Sequence, residues 1–168
     1  SIDASICTVL IGLENVMSNS ILFDKIIDSV TFTEFYKTTE FENGKISSIN
    51  YSFEQEGFIP LNLIFSNKKS RISEMISNEV GIKSETAGAI LNFAVMLILS
   101  YFVNERQKST IIQNDLNSQK KVILYNVPEG IRVLLGYSNF EYEATYTDSS
   151  TAIKTNSKPH FLNKIFKF

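Results

Sequence analysis

The sequence predicts a mainly α-helical protein, a multihelical bundle around a long apolar central helix at about residues 84–106. Two observations lead to this fold class: apolar residues recur at helical spacing between residues 68 and 80, and a long uncharged segment follows them. A third observation, the turn pair Asn43-Gly44, favours a small β-hairpin within residues 31–56.

The composition describes one domain of ordinary size or two very small ones. The chain has 168 residues, is 43% hydrophobic and carries a net charge of −2, so it can bury a core without disulfides or metals. This charge balance gives no reason to expect a nucleic-acid partner. With one Cys and one His, a disulfide within the chain is excluded and a typical zinc site lacks ligands. We therefore expect no metal and no cofactor, and we place Cys7 in the core as a small hydrophobe.

Residues 31–60 form an aromatic-rich connection ahead of the predicted helices. After Asn43-Gly44, apolar and polar residues alternate over residues 49–53, and they alternate again over residues 140–146. Both runs are either strands of a small sheet or irregular linker. The many Phe and Tyr residues either complete a core or form an apolar face for a partner.

An amphipathic helix is predicted at residues 68–80, because its apolar side chains share one face. These side chains are Ile72, Met75, Ile76 and Val80. Gly81 then provides a natural C-terminal stop.

The long apolar helix is predicted to begin at Ser84, acting as its N-cap, and to run to about Arg106. No residue from Thr86 to Asn104 is charged, and this segment spans roughly 28 Å, nearly the hydrocarbon thickness of a bilayer. Asn92 in its middle and the balanced flanking charges favour a buried central helix over a membrane span.

Three short helical elements are predicted after it. The first covers residues 110–117, and Ser118 caps the second. Pro128 takes the first helical position of the third, which Gly136 closes.

Four strings in this part of the chain carry a resemblance, because they match a known pattern in order and spacing. They are Leu63-Ile64-Phe65, Gly81-Ile82-Lys83-Ser84, Asn117-Ser118-Gln119-Lys120, and Pro128-Glu129-Gly130 leading into Leu134-Leu135-Gly136. Residues 65–136 thereby resemble the bacterial YidB-like family of unknown function, in the form found in Bacteroidetes as the N-terminal part of OmpA-like envelope proteins. The resemblance implies a helical domain at residues 61–137.

The resemblance also bears on both ends of the chain. Tandem copies in the family imply a partial first repeat at residues 1–30, since Cys7–Leu13 aligns with Val95–Tyr101; chance similarity of two apolar helices explains the match equally well. Residues 138–168 are then a polar linker or tail. We expect the protein to continue into a membrane-anchoring segment and a peptidoglycan-binding domain, which would be its one route to a membrane. The sequence leaves the location open between the bacterial cell envelope and the cytoplasm.

No cluster in the sequence has the pattern of a catalytic site. Glu54 with Glu56, and Glu141 with Glu143, are local pairs, typical of the solvated face of a strand or loop, whereas an acid/base pair is usually drawn from different segments. Phosphate-binding glycine loops and nucleophile motifs do not occur. We therefore expect no enzyme activity.

Four aromatic residues are predicted to line an apolar pocket or interface: Phe53, Phe58, Phe93 and Tyr101. Two function classes follow. The first is a non-catalytic interaction or structural module whose partner is a protein, its own copy or another. The alternative is a domain that binds a small apolar ligand or lipid, which a cavity between Phe53, Phe93 and Tyr101 would favour.

Overall fold

A computed structural model describes residues 2–48, 55–105 and 108–140, and these are mainly helical, as predicted. The helices are α1 (Ile2–Val16), α2 (Ser20–Thr31), α3 (Glu34–Thr38), α4 (Phe58–Phe65), α5 (Lys69–Val80), α6 (Ser84–Asn104), α7 (Ser109–Tyr125) and α8 (Glu129–Leu134), with a 3₁₀ turn at Ser66–Lys68. An antiparallel hairpin of β1 (Glu40–Glu42) and β2 (Lys45–Ser48) follows α3.

Two apolar helices, α1 and α6, pack against each other in the middle of the bundle. Every residue from Ser5 to Leu13 is buried, as is every residue from Ala94 to Phe102. A helix that is apolar on all faces needs neighbours on all sides. Accordingly α1 also contacts α4 and α7, while α6 also contacts α2, α4 and α5. Side chains from residues 2–30 and from residues 61–137 thus share one hydrophobic core.

The predicted central helix is confirmed as α6, with a correction at its start. The N-cap is Lys83, whose backbone is extended, and Ser84 is the first helical residue. By length and composition α6 is the one helix among the described residues that is able to cross a membrane, and 61% of its most apolar window is buried inside the protein. The core helix of a water-soluble protein has the same length and composition, so this finding alone decides nothing about a membrane.

Two local predictions depend on backbone conformation, and both are confirmed. Gly81 ends α5 in the left-handed region with φ 72°, where glycine has no steric penalty. Asn43 and Gly44 both have positive φ, 51° and 75°, as a type I′ turn requires. The alternating run at 49–53 lies wholly outside the described residues, and so does the run at 140–146 apart from Phe140.

The region after α6 differs from the prediction. The two helices expected around Ser118 are the single helix α7, and the Ser118 hydroxyl donates to the Asp115 carbonyl instead of capping a new helix. The stripe of Ile112, Leu116 and Ile123 is buried along α7, so packing continues through Ser118. Pro128 occupies the N-cap of α8 and not its first helical position.

Candidate functional site

The residues predicted to line a pocket or interface occupy different surroundings. The side chain of Phe58 is 53% exposed at the start of α4. Phe93 is half-buried on α6, edge-on to the ring of Phe35 at 6.4 Å between centroids. Tyr101 is 6% exposed, and its ring centroid lies 5.9 Å from that of Phe102. Phe53 lies outside the described residues, so Phe58 is the member of this set that the structure places at the surface.

Phe58 belongs to an exposed apolar surface that we call the aromatic end, formed by Phe32, Phe58 and Ile59. Their side chains are 80%, 53% and 59% exposed. Phe32 is the C-cap of α2, and Phe58 and Ile59 begin α4, which packs against α2. Large apolar side chains grouped at a surface are typical of interaction sites, whereas single ones are ordinary.

The carboxylate of Glu56 brings the two parts of the aromatic end together. Its two oxygens accept the backbone N–H groups of Glu34 and Phe35, at 2.9 and 2.8 Å. Both N–H groups belong to the first turn of α3, where the helix itself supplies no acceptor and a negative charge is favourable. Phe32 and Phe58 each lie two residues from this contact, so the end of α2 and the start of α4 are held near each other. Glu56, predicted as a solvated carboxylate, is therefore a helix cap.

The chain reaches Phe58 through a close contact with α6. A Cβ atom on Gly57 would lie 2.7 Å from the Cα atom of Asn92, which is closer than real Cβ atoms approach, so only glycine permits this approach. On the exposed side, the Lys69 amino group lies 4.3 Å from the centroid of the Phe58 ring, a favourable cation–π distance. Partial burial lowers the pKa of Lys69. The aromatic end therefore carries a cation beside its rings.

A polar cluster lies at another place, between α1, α7 and the residues that follow α8. Lys120 Nζ lies 2.9 Å from Glu14 Oε1. The Tyr137 hydroxyl lies 2.6 Å from Glu14 Oε2 and 2.7 Å from Asn15 Oδ1, so its single proton has two acceptors. Asn15 in turn donates to the Leu135 carbonyl at 3.2 Å. Sequence patterns gave no signal for this cluster, because Glu14 and Asn15 lie more than a hundred positions before Lys120 and Tyr137.

The groups of this polar cluster have a structural role, because they bind one another. Burial, the hydrogen bond to Glu14 and the charge of Glu14 raise the pKa of the Tyr137 hydroxyl, which therefore keeps its proton at neutral pH. The Glu14 carboxylate is paired with the Lys120 ammonium group. With each group already engaged, the cluster holds the segment after α8 against α1.

A groove of about 540 Å³ opens beside the start of α8. Its lining includes Glu79 and Val80 from the end of α5, Tyr125 from the end of α7, and Glu129 and Arg132 from α8. Val80 and Tyr125 are partly exposed apolar or aromatic side chains, 36% and 43% accessible. The groove therefore combines two carboxylates and one guanidinium group with a smaller area of apolar surface.

Reactive and metal-binding groups are sparse in the part of the chain that the structure describes. Within residues 2–48, 55–105 and 108–140, no three or more His, Cys, Asp or Glu side chains come together in a way that would hold a metal ion. Cys7 is buried as predicted, and burial, with a smaller effect of the Asp3 charge, raises the pKa of its thiol to about 12. Such a thiol stays protonated and unreactive at neutral pH.

Comparisons with protein-family models, with known proteins and with solved structures find no match for this chain.

Proposed function

We propose that this chain is a non-catalytic protein-interaction module, and that its aromatic end binds a second copy of the chain. The observation that carries the proposal is the exposure of Phe32, Phe58 and Ile59, at 80%, 53% and 59%, beside a bundle whose own core is well filled. Burying such side chains releases about 25 cal/mol for each Å² of apolar surface removed from water. The resemblance to YidB-like proteins, which brings no catalytic signature, stays part of this proposal.

A second copy is the favoured partner because the aromatic end is self-complementary in charge. Lys69 lies over the Phe58 ring, and the exposed ion pair of Glu34 with Lys37 lies next to the Glu56 cap. In a two-fold symmetric interface the same surface patch meets itself, so a patch that carries both signs of charge satisfies its partner.

The non-catalytic part of the proposal draws support from the reactive groups, which are hydrogen-bonded, ion-paired or buried. Tyr137 and Glu14 are hydrogen-bonded to each other, Glu14 is ion-paired with Lys120, and the Cys7 thiol is buried. The alternative, an apolar ligand held between aromatic residues of α6, draws less support. Phe93 packs against Phe35, and Tyr101 packs against Phe102 in the core.

Sedimentation velocity over a range of concentrations tests the proposal. We expect the wild-type chain to form dimers, and the double variant Phe32→Ser, Phe58→Ser to stay monomeric. Ile111→Ser is the matched control, because Ile111 is 50% exposed on α7, which packs mainly against α1; it should dimerise like the wild type. Circular dichroism shows whether each variant is folded. A wild-type chain that stays monomeric at every concentration, or a double variant that still dimerises, would refute the proposal.

A further inference from the structure

The groove beside α8 lies where the described chain ends. Arg132 lines this groove, and its guanidinium carbon lies 5.3 Å from the centroid of the Phe140 ring. The same guanidinium group donates to the Leu124 carbonyl at 3.1 Å. Phe140, the last described residue, therefore lies beside a residue that lines the groove, and residues 141–168 follow it in the chain.

The composition of the last residues complements the groove. After Asp148 the sequence contains no acidic residue. Residues 158–168 contain three lysines among five apolar side chains: Lys158, Lys164 and Lys167, with Phe161, Leu162, Ile165, Phe166 and Phe168. The groove offers the reverse charge through Glu79 and Glu129, together with apolar surface on Val80 and Tyr125. Its one cation, Arg132, already has the Leu124 carbonyl and the Phe140 ring as neighbours.

We propose that residues 158–168 bind in this groove of their own chain, with Phe and Ile side chains against Val80 and Tyr125 and lysines beside Glu79 and Glu129. The connection from residue 141 to residue 157 spans up to roughly 55 Å when fully extended, so its length does not limit access to a groove beside Phe140. Tethering places the segment near the groove at an effective concentration on the order of 1 mM, so a weak contact suffices. This proposal uses a different surface from the aromatic end and stands independently of it.

Paramagnetic broadening in the 168-residue chain tests the contact. Asn163→Cys introduces a thiol for a nitroxide label, while the native Cys7 is buried and stays unlabelled. We expect the label to abolish the amide signals of Val80 and Tyr125 in the same chain. In a mixture of unlabelled isotope-enriched chains with labelled chains of natural isotope abundance, these signals should survive, because the contact is intramolecular.

Charge-reversal variants show whether the groove causes the broadening. Glu79→Lys in the groove, and separately Lys164→Glu with Lys167→Glu in the segment, should restore the amide signals. Glu74→Lys is the matched control: it makes the same charge change at another exposed position of α5 and should leave the broadening intact. Three results would each overturn the proposal: no broadening at the groove, broadening that persists in both charge-reversal variants, or broadening in the mixed sample, which would make a second copy the source of the segment.

Discussion

The close packing of α1 against α4 yields a prediction about Gly12. A Cβ atom at Gly12 would lie 2.6 Å from Cζ of the Phe65 ring and 2.8 Å from Cγ2 of Ile64, closer than real Cβ atoms approach. Phe65 and Ile64 are themselves buried, 3% and 7% exposed, so neither side chain has free space to move into. Gly12→Ala should therefore force α1 and α4 apart or drive the Phe65 ring out of its preferred rotamer.

A second glycine allows the cost of this overlap to be separated from helix propensity. Alanine in place of glycine inside a helix stabilises it by about 1 kcal/mol in either position. At Gly88 in α6 the nearest atom to an added Cβ is the Ser73 hydroxyl at 3.6 Å, which is an ordinary contact. Since the propensity gain is common to both variants, the difference between them isolates the overlap, for which overpacked cores give about 1–3 kcal/mol.

Urea denaturation followed by circular dichroism measures both variants against the wild type. We expect Gly88→Ala to be more stable than the wild type, and Gly12→Ala to be less stable than Gly88→Ala by about 1–3 kcal/mol. A Gly12→Ala variant as stable as Gly88→Ala would show that α1 and α4 do not approach as closely as the structure places them.

Three further predictions concern the polar cluster around Tyr137, the buried thiol of Cys7 and the Glu56 cap of α3. Tyr137→Phe removes the hydroxyl that binds Glu14 and should lower the free energy of unfolding by about 1 kcal/mol in urea denaturation at pH 7. Because the folded pKa of Tyr137 is raised, the wild type should also lose stability as the pH rises above about 10, where the unfolded chain releases this proton first; Tyr137→Phe should lose less. Cys7, with its thiol pKa raised to about 12, should react with a thiol reagent at pH 8 only after the chain is unfolded. Glu56→Gln weakens the acceptor of the Glu34 and Phe35 N–H groups, and amide hydrogen exchange of Phe35 should become faster.

Each of these predictions has a result that contradicts it. Equal alkaline stability of the wild type and Tyr137→Phe would mean that the hydroxyl does not bind Glu14. Rapid labelling of Cys7 in the native state would place its thiol at the surface. Unchanged amide exchange at Phe35 in the Glu56→Gln variant would show that the Glu56 carboxylate does not cap α3. Glu40→Gln, at an exposed position of β1, serves as the control.

Local patterns were sufficient for the elements whose causes lie within a few residues. The apolar spacing of Ile72 and Ile76 gives α5, Gly81 ends it, and Asn43-Gly44 gives the hairpin, because each of these depends on the conformation of adjacent residues. The break predicted at Ser118 was wrong because the prediction used only a local preference. A serine is a good cap in isolation, but the buried stripe of α7 outweighs that local preference.

Only the tertiary structure decided which residues form the polar cluster and the aromatic end. Tyr137 and Glu14 are separated by 123 positions, and the Glu56 carboxylate caps a helix that begins 22 positions earlier. The spacing of apolar residues cannot predict such pairs. It shows which face of a helix is apolar, but it does not show which neighbour covers that face. The same limit explains the aromatic residues: composition marked Phe58 and Phe93 alike, whereas the packing of α4 and α3 against α6 left Phe58 at the surface and placed Phe93 against Phe35.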